Sequence, residues 1–247
     1  MLGFPSAFQK QPGEFRTSQN WIGGTRPGTA AYVPPPPGQM MECLGALEKF
    51  LHNDPSPTPV LVKDALAHAQ FESIHPFLDG NGRMGRLLIT LLLCHEKILS
   101  QPLLYLSLHL KQNRDEYYQL LQRIRTDGDW EAWLAFFLKG VAATADQAAA
   151  TAKRLLQLFK TDAGKIELSG RAVITTQRVH KLLQERPATT AGELAAKLDV
   201  SFPTAAKALE NLVTLNIVRE VTGGKQNRLY RYENYLAILR EGTEPLS

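Results

Sequence analysis

Residues 72–86 read ESIHPFLDGNGRMGR, and an apolar run follows at once over residues 87–94. This order of polar residues, glycines and apolar residues predicts a loop that enters the N-terminus of a helix. Gly80 and Gly82 allow backbone N–H groups to approach an anion, because neither residue carries a Cβ. The first turn of the helix adds unpaired N–H donors and the positive end of the helix dipole. The stretch therefore predicts a phosphate-binding site.

Four side chains of this stretch suit chemistry on a phosphorylated substrate. Arg83 and Arg86 stand three positions apart, so on a helix they share a face and can clamp phosphate oxygens with paired donors. Asp79 is a hard oxygen ligand of the kind that Mg2+ uses together with the phosphates of its substrate. His75 lies just ahead of the loop and can accept a proton near neutral pH.

Residues 75–86, HPFLDGNGRMGR, resemble the signature of the Fic family of protein nucleotidyltransferases at every position that defines it. The resemblance implies transfer of a nucleoside monophosphate, usually AMP from ATP, to a hydroxyl side chain of a target protein or of the chain itself. It makes His75 the general base and Asp79 the ligand of Mg2+. The nucleotide-binding residues that it implies are Gly80, Asn81, Gly82, Arg83, Met84, Gly85 and Arg86. Tyr117 follows a region that resembles the part of Fic folds closing over the nucleotide base, and is a further candidate contact.

Length and composition agree with one sizeable core and a smaller domain. The chain has 247 residues, a net charge of +4 and a hydrophobic fraction of 44%, which are ordinary for a soluble globular protein. Cys43 and Cys94 stand far apart in apolar surroundings, which predicts two reduced core thiols. The longest apolar run, residues 87–94, is too short to cross a bilayer, and no signal peptide pattern is seen. We expect a cytoplasmic protein with no membrane partner.

Residues 1–38 are rich in Gly and Pro and predict a short hairpin followed by an extended polyproline stretch. On composition alone this segment is a surface loop. The resemblance instead implies a β-hairpin flap beside the active site, on whose edge an extended target segment would pair. The target-binding residues would then be Ile22, Gly23, Gly24 and Thr25.

Helical periodicity runs through residues 39–160, and the strand–helix alternation of a doubly wound sheet is absent. The expected fold class is mainly α: an all-helical Fic core with a small hairpin flap, and a C-terminal winged helix domain. A polar linker is expected at residues 161–172. No histidine spacing favours zinc, and His68 is expected to be a packed, hydrogen-bonded residue.

Residues 173–247 predict three short helices and a basic hairpin, an order similar to a winged helix-turn-helix. Thr190 opens a capping-box sequence, and Ser201 is expected to cap the third helix. The candidate contacts to duplex DNA are Thr204, Lys207, Arg219, Lys225 and Arg228. The third helix, which would enter the major groove, has a single Lys. Docking of a protein therefore remains an equal alternative for this domain.

The inhibitory pattern of many Fic proteins, [Ser/Thr]-x-x-x-Glu-[Gly/Asn], has no match in the sequence. Its Glu pairs with the second arginine of the motif, here Arg86. The chain also begins a few residues before the flap, where such proteins carry a further helical region. We therefore expect either an unrestrained Arg86 or an inhibitory element supplied by a partner chain or a second copy.

Three functions of different classes remain open on the sequence. The complete motif favours protein adenylylation. A phosphotransferase of the same fold is the second, because relatives move other phospho-groups. The third is a DNA-binding regulator whose Fic core is vestigial or senses a nucleotide.

Overall fold

The computed structural model describes residues 13–53, 55–99, 106–170, 173–224 and 227–241. The chain divides into two compact units, Met1–Asp146 and Gln147–Ser247. The described residues form ten α-helices and three short strands, so the prediction of a mainly α fold is confirmed. Within those residues, no helix combines the length and apolar character that a membrane span requires.

Five helices and the start of a sixth build the first unit. They are α1 (Pro37–Leu51), α2 (Val60–Ile74), α3 (Asn81–His95), α4 (Leu106–Gln112), α5 (Arg114–Asp127) and α6 (Trp130–Glu167). Helix α6 begins just after Asp129, whose carboxylate accepts a hydrogen bond of 3.2 Å from the Ala132 N–H. Trp133 and Phe137 are fully buried, so the aromatic face of α6 belongs to the core. The Trp133 indole donates to the Ala65 carbonyl of α2 at 2.9 Å and so ties α6 to α2.

Helix α2 differs from an ordinary core helix because it buries polar residues on the side that packs against its neighbours. Asp64, His68 and Glu72 stand four positions apart and are 1%, 0% and 5% exposed. Residues at this spacing lie one above another on a single helix face. The stripe leads directly toward His75, the residue that follows the end of α2.

The flap, residues 22–32, is a minimal hairpin. Ile22 and Tyr32 form an isolated antiparallel bridge, with Ile22 N–H donating to the Tyr32 carbonyl at 2.8 Å and Ala31 N–H donating to Ile22 at 2.9 Å. Gly23 and Gly24 both have positive φ. A Cβ on Gly24 would lie 2.2 Å from the Thr29 carbonyl oxygen, so the turn needs glycine at that position.

The second unit contains four helices and a three-stranded antiparallel sheet. Its elements are α7 (Val173–Glu185), β1 (Ala188–Thr190), α8 (Ala191–Leu198), α9 (Phe202–Thr214), β2 (Arg219–Glu220), β3 (Leu229–Arg231) and α10 (Glu233–Arg240), with strand order β1-β3-β2. Both predicted caps are confirmed: Thr190 and Glu193 form a capping box, and the Ser201 hydroxyl accepts from the Thr204 N–H. Strand β1 and helix α10 were not predicted.

The segment expected as a linker is largely helical. Helix α6 continues to Glu167, so residues 161–167 belong to it, while residues 171–172 lie outside the described residues. The polar composition of residues 161–167 gave no indication of a packed helix face, yet Asp162 and Ile166 are both 0% exposed. Ile166 lies in the hydrophobic core of the second unit.

A buried polar network connects α6, α7 and the end of the sheet in this unit. Tyr232 donates its hydroxyl hydrogen to Asp162 Oδ2 at 2.7 Å, and Lys165 pairs with Asp162 Oδ1 at 2.6 Å. The Nε2 atom of His180 lies 3.3 Å from the Tyr232 hydroxyl. Burial, together with the hydrogen bond to Asp162, raises the pKa of Tyr232. The Tyr232 hydroxyl therefore keeps its proton and donates it in a hydrogen bond to the buried Asp162 carboxylate.

Replacing Tyr232 with Phe should lower the free energy of unfolding by about 1–3 kcal/mol, because a buried carboxylate loses a donor. Urea denaturation of the full chain measures the change. Tyr235→Phe is the matched control, since the Tyr235 ring packs on Phe159 without a described hydrogen bond from its hydroxyl. Equal stability losses in both variants would show that the network contributes nothing beyond packing.

Candidate active site

The motif forms a loop between the end of one helix and the start of the next. Helix α2 ends at Ile74, and His75 follows with φ 50°, in the left-handed region that non-glycine residues seldom occupy. Gly80, with φ 85°, precedes the first residue of α3, Asn81. The prediction of a loop that enters a helix N-terminus is therefore confirmed.

The carbonyl groups in the last turn of α2 have no hydrogen-bond partner within the helix, so donors from other segments pair with them. Each carbonyl from Glu72 to Phe77, in this last turn and in the loop that follows it, accepts such a bond. The bonds are Arg125 Nη2 to Glu72 (3.1 Å), Tyr32 Oη to Ser73 (3.0 Å), Arg16 Nη2 to Ile74 (3.4 Å), Arg16 Nε to His75 (3.0 Å), Arg16 N to Pro76 (2.9 Å) and Asn20 Nδ2 to Phe77 (3.1 Å). The backbone on both sides of His75 is thus fixed by the N-terminal segment and by α5.

Arg16 makes the largest share of these bonds. It is 2% exposed, and its guanidinium also donates to the carbonyls of Ser18 and Pro35. Within the described residues the partners of the guanidinium are all carbonyl oxygens, and those of Ile74 and His75 lie at the negative end of the α2 dipole. Burial lowers the pKa of Arg16 from its usual value, which reflects how completely water is removed from the charge.

The His75 ring is held neutral by its surroundings. Burial, together with the positive charges of Arg125 and Arg16, lowers the pKa of His75 to about 4, although the Glu72 carbonyl acts in the opposite direction. The Nδ1 atom is buried and has no regular hydrogen bond with the described residues. Nε2 is therefore the nitrogen that remains for a substrate.

The Asn81 side chain forms hydrogen bonds within the motif loop. Its Oδ1 accepts from the Phe77 N–H at 2.9 Å, and its Nδ2 donates to the Phe77 carbonyl at 2.7 Å. Because both ends of the amide are used within the loop, the side chain stabilises the loop conformation. Its backbone N–H remains at the start of α3 as a donor for an anion.

The two arginines of the motif lean back toward the helix N-terminus, as side chains on helices do. A Cβ on Gly80 would lie 3.3 Å from Arg83 Nη2, and a Cβ on Gly82 would lie 3.2 Å from Arg86 Nη1. Arg83 is exposed and Arg86 half-buried. Both positive charges therefore lie beside the N–H groups of Asn81 and Gly82, where an anion would bind.

His68 connects the motif helix to α5, which confirms the expectation of a packed, hydrogen-bonded residue. Its Nδ1 lies 3.0 Å from the Gly85 carbonyl and its Nε2 lies 3.0 Å from the Tyr117 hydroxyl. A carbonyl can only accept, so Nδ1 carries the proton and Tyr117 donates to Nε2. Burial lowers the pKa of His68 to about 4, in agreement with a neutral ring.

Tyr117 is consequently a core residue in this structure. It is 3% exposed, and burial raises the pKa of its hydroxyl. The predicted contact with a nucleotide base receives no support from this position, because the ring is enclosed by His68, Tyr118 and Trp133.

Glu72 was not predicted as a site residue, yet it lies against the motif helix. It is 5% exposed, and its buried Oε1 has no hydrogen-bond partner among the described residues. A Cβ on Gly85 would lie 2.5 Å from that oxygen. Gly85 is therefore required for helix packing, which is how this residue contributes to the site.

Asp79 and Met84 are exposed on the loop and the first turn of α3. In the described residues no group of three His, Cys, Asp or Glu side chains could hold a metal on its own. A single carboxylate beside a phosphate site nevertheless fits Mg2+, which commonly binds one or two carboxylates and completes its shell with water and substrate phosphates.

The flap residues Gly23, Gly24 and Thr25 are exposed, whereas Ile22 uses its N–H and C=O within the hairpin. A target strand that pairs with the flap would therefore use the residues beyond Ile22. That function stays a prediction.

The described residues that are expected to contact DNA lie on α9, in β2 and just before β3. Lys207 pairs with Glu210 at 3.3 Å, and the Thr204 hydroxyl lies 2.7 Å from that of Ser201. Arg228 is exposed and its Nε donates to the Gly224 carbonyl at 2.9 Å, while Lys225 lies outside the described residues. Arg219 is exposed and directly opposite Arg231 in the sheet.

Comparison with known protein families finds a match for the segment that carries this site. Residues 5–93 match the model of the Fic/DOC family, and this segment includes the flap, α1, α2, the motif loop and most of α3. The match leaves Tyr117, Arg125 and the whole second unit outside it.

Particular relatives carry the name protein adenylyltransferase Fic. The chain is 35% identical over 136 residues to the proteins of that name from Drosophila yakuba and Drosophila melanogaster, which is 54% of this chain. It spans 24% and 25% of their lengths, about a quarter of each. The solved structure of a Fic family protein from Desulfovibrio desulfuricans G20 aligns with a TM-score of 0.50 at 21% identity, over 89% of this chain and 62% of that one. At that identity the likeness concerns the fold alone.

Replacing Arg16 with Met should loosen the His75 loop, because the Ile74 and His75 carbonyls lose their guanidinium donors. We expect amide hydrogen exchange in residues 74–86 to accelerate about tenfold or more, equivalent to ~1.4 kcal/mol of lost protection. Arg26→Met is the control, since Arg26 is exposed on the same segment. Unchanged exchange in the Arg16 variant would contradict the anchoring role.

Proposed function

We propose that this protein is an adenylyltransferase that transfers the AMP group of ATP to a Ser, Thr or Tyr hydroxyl of a target protein or of itself. The observation that carries the proposal is a neutral His75 ring held one short loop from the N-terminus of α3 and its two arginines. Relatives named protein adenylyltransferase support it.

The start of α3 supplies the groups that would hold the nucleotide phosphates. Backbone N–H groups of Asn81 and Gly82, with the positive end of the helix, suit the α-phosphoryl group that is transferred. Arg83 and Arg86 would bind the β- and γ-phosphates and favour the departure of pyrophosphate. Asp79 would hold Mg2+, which supplies neutralisation of phosphate charge when bound.

His75 would act on the acceptor hydroxyl. The hydroxyl oxygen attacks the α-phosphorus, the bond from that phosphorus to the bridging oxygen breaks, and pyrophosphate leaves with the bonding electrons. The hydroxyl proton passes to His75 Nε2. A ring with a pKa of about 4 is unprotonated at neutral pH, and the negative nucleotide phosphates would raise that pKa and make the ring a stronger base.

Labelled nucleotides distinguish adenylyl transfer from its alternatives. We expect ATP labelled at the α-phosphate to label protein, the chain itself or a lysate protein, and ATP labelled at the γ-phosphate to leave protein unlabelled. His75→Ala should reduce α-label transfer at least 100-fold, because general bases contribute about 10²–10⁴-fold.

The controls assign each result to one hypothesis. His52→Ala, an exposed histidine at the end of α1, should transfer normally. ATP should still raise the melting temperature of His75→Ala, which shows that the site is intact. Transfer of γ-label would favour a phosphotransferase. Normal transfer by His75→Ala, or no transfer of either label, would overturn the proposal as stated.

We propose further that residues 173–247 form a winged helix that binds duplex DNA. The supporting observation is that Arg219 and Arg231 stand directly opposite each other in the sheet, a pairing of like charges that costs stability without an anion nearby. Tyr230 is buried on the other face, so the two arginines share the outer face. Helix α9 gives less support, because Lys207 already pairs with Glu210. Restraint by a partner chain or a second copy, and a cytoplasmic location, stay predictions.

Fluorescence anisotropy with a labelled duplex tests the DNA proposal. Replacing Arg219 and Arg231 with Gln should lower the slope of log affinity against log salt by roughly two, because two phosphate contacts are lost. Lys207→Gln should bind as the unaltered chain does. The proposal is wrong if the unaltered chain does not bind the duplex at low salt.

A further inference from the structure

The buried Glu72 carboxyl has no role in the chemistry described so far. Its Oε1 is buried without a hydrogen-bond partner among the described residues, although a buried polar group normally has one. Glu72 belongs to α2, while the groups that its carboxyl approaches belong to α3. The unsatisfied oxygen therefore lies at the interface between these helices.

Distances to the glycines of α3 locate the carboxyl relative to Arg86. A Cβ on Gly82 would lie 3.2 Å from Arg86 Nη1 and 3.8 Å from Glu72 Oε1. The guanidinium and the carboxyl oxygen thus approach the same point at the start of α3. They do not form an ion pair within 4.0 Å among the described residues, yet the positive charge of Arg86 acts to lower the pKa of Glu72.

The surroundings of Glu72 are mixed in charge. The titratable or charged groups around it are His68 on its own helix, His75 just after that helix, Arg86 on α3, and Tyr117 and Arg125 on α5. Burial raises the pKa of the Glu72 carboxyl to about 7, although Arg86 and Arg125 oppose that change. Both protonation states are then accessible near neutral pH.

We propose that Glu72 is a positioning residue that controls how strongly Arg86 binds the phosphates of the nucleotide. The ionised carboxyl attracts the guanidinium toward Gly82 and Gly85 and places a negative charge close to the phosphate site. The protonated carboxyl leaves the full charge of Arg86 for the β- and γ-phosphates. Affinity for a triphosphate should consequently fall as pH rises through the pKa of Glu72. This inference rests on the proposed function for the identity of the nucleotide.

The glycines at positions 82 and 85 make this arrangement feasible. A Cβ on Gly85 would lie 2.5 Å from Glu72 Oε1 and 3.3 Å from its Cδ, which is too close for any larger residue without displacement of the carboxyl. The absence of a Cβ at Gly82 and Gly85 therefore leaves space for the Glu72 side chain against α3, in addition to exposing N–H groups to an anion.

Isothermal titration calorimetry with saturating Mg2+ tests the proposal, in a His75→Ala background that prevents turnover. Glu72→Gln keeps the shape of the side chain and removes its charge. We expect the Glu72→Gln variant to bind ATP about fivefold to tenfold more tightly at pH 8 and within twofold of the parent at pH 6. The ratio of the two affinities cancels the titration of ATP itself. AMP, which lacks the β- and γ-phosphates, should show a ratio close to one at both pH values.

A second measurement is independent of nucleotide. The 13C signal of the Glu72 carboxyl, followed from pH 5 to pH 9, should shift its midpoint upward by about one unit in Arg86→Gln, because a nearby positive charge is removed. An unchanged midpoint, or an ATP affinity ratio near one at pH 8, would overturn the inference. If ATP binds as expected but no label is transferred in the earlier experiment, the proposed function fails while the role of Glu72 stands. If ATP does not bind the parent, the proposed function and this inference both fail.

Discussion

The interaction on which the site depends is the burial of the Arg16 guanidinium among the carbonyl oxygens at the end of α2. A helix C-terminus presents several carbonyls without partners, and burying them uncompensated would cost free energy at each one. A single side chain with five donors in a planar fork can serve several of them together. The favourable end of the helix dipole offsets part of the cost of removing the charge from water.

This solution has a structural consequence for the loop. His75 occupies a left-handed conformation that costs energy for a residue with a Cβ, so the surroundings must compensate for it. Arg16 and Asn20 hold the backbone from one side, while Asn81 holds it through Phe77 from the other. The ring is thereby positioned by backbone contacts, which leaves its Nε2 atom uncommitted.

Local signals in the sequence predicted local structure well. The glycines and apolar run of the motif predicted a loop and a helix start, and Thr190 and Ser201 were confirmed as caps because a cap needs only its own next three residues. Arg16, Asn20, Arg125 and Glu72 were missed as site residues because their partners lie up to 59 positions away. Their roles depend on which helices meet, and a single sequence does not contain that information.

Tyr117 and residues 161–167 are packed more closely than the sequence alone indicated. A tyrosine has a polar end that suits a ligand, but here His68 satisfies it inside the core. The polar residues at 161–167 resembled a linker, yet Asp162 is the acceptor at the centre of a buried network. In both cases a polar atom found its partner within the protein.

The flap is attached to the core at both ends. Asn20 bonds to the His75 loop before the hairpin, and the Tyr32 hydroxyl bonds to the Ser73 carbonyl after it, while Gln122 Nε2 donates to the Ala31 carbonyl at 3.0 Å. The exposed turn of the flap lies between these hydrogen-bonded attachments, which hold its two ends in place. Substitutions at its tip can therefore accumulate without displacing the backbone around His75, so the sequence of the tip is free to vary while the geometry of the motif loop is kept.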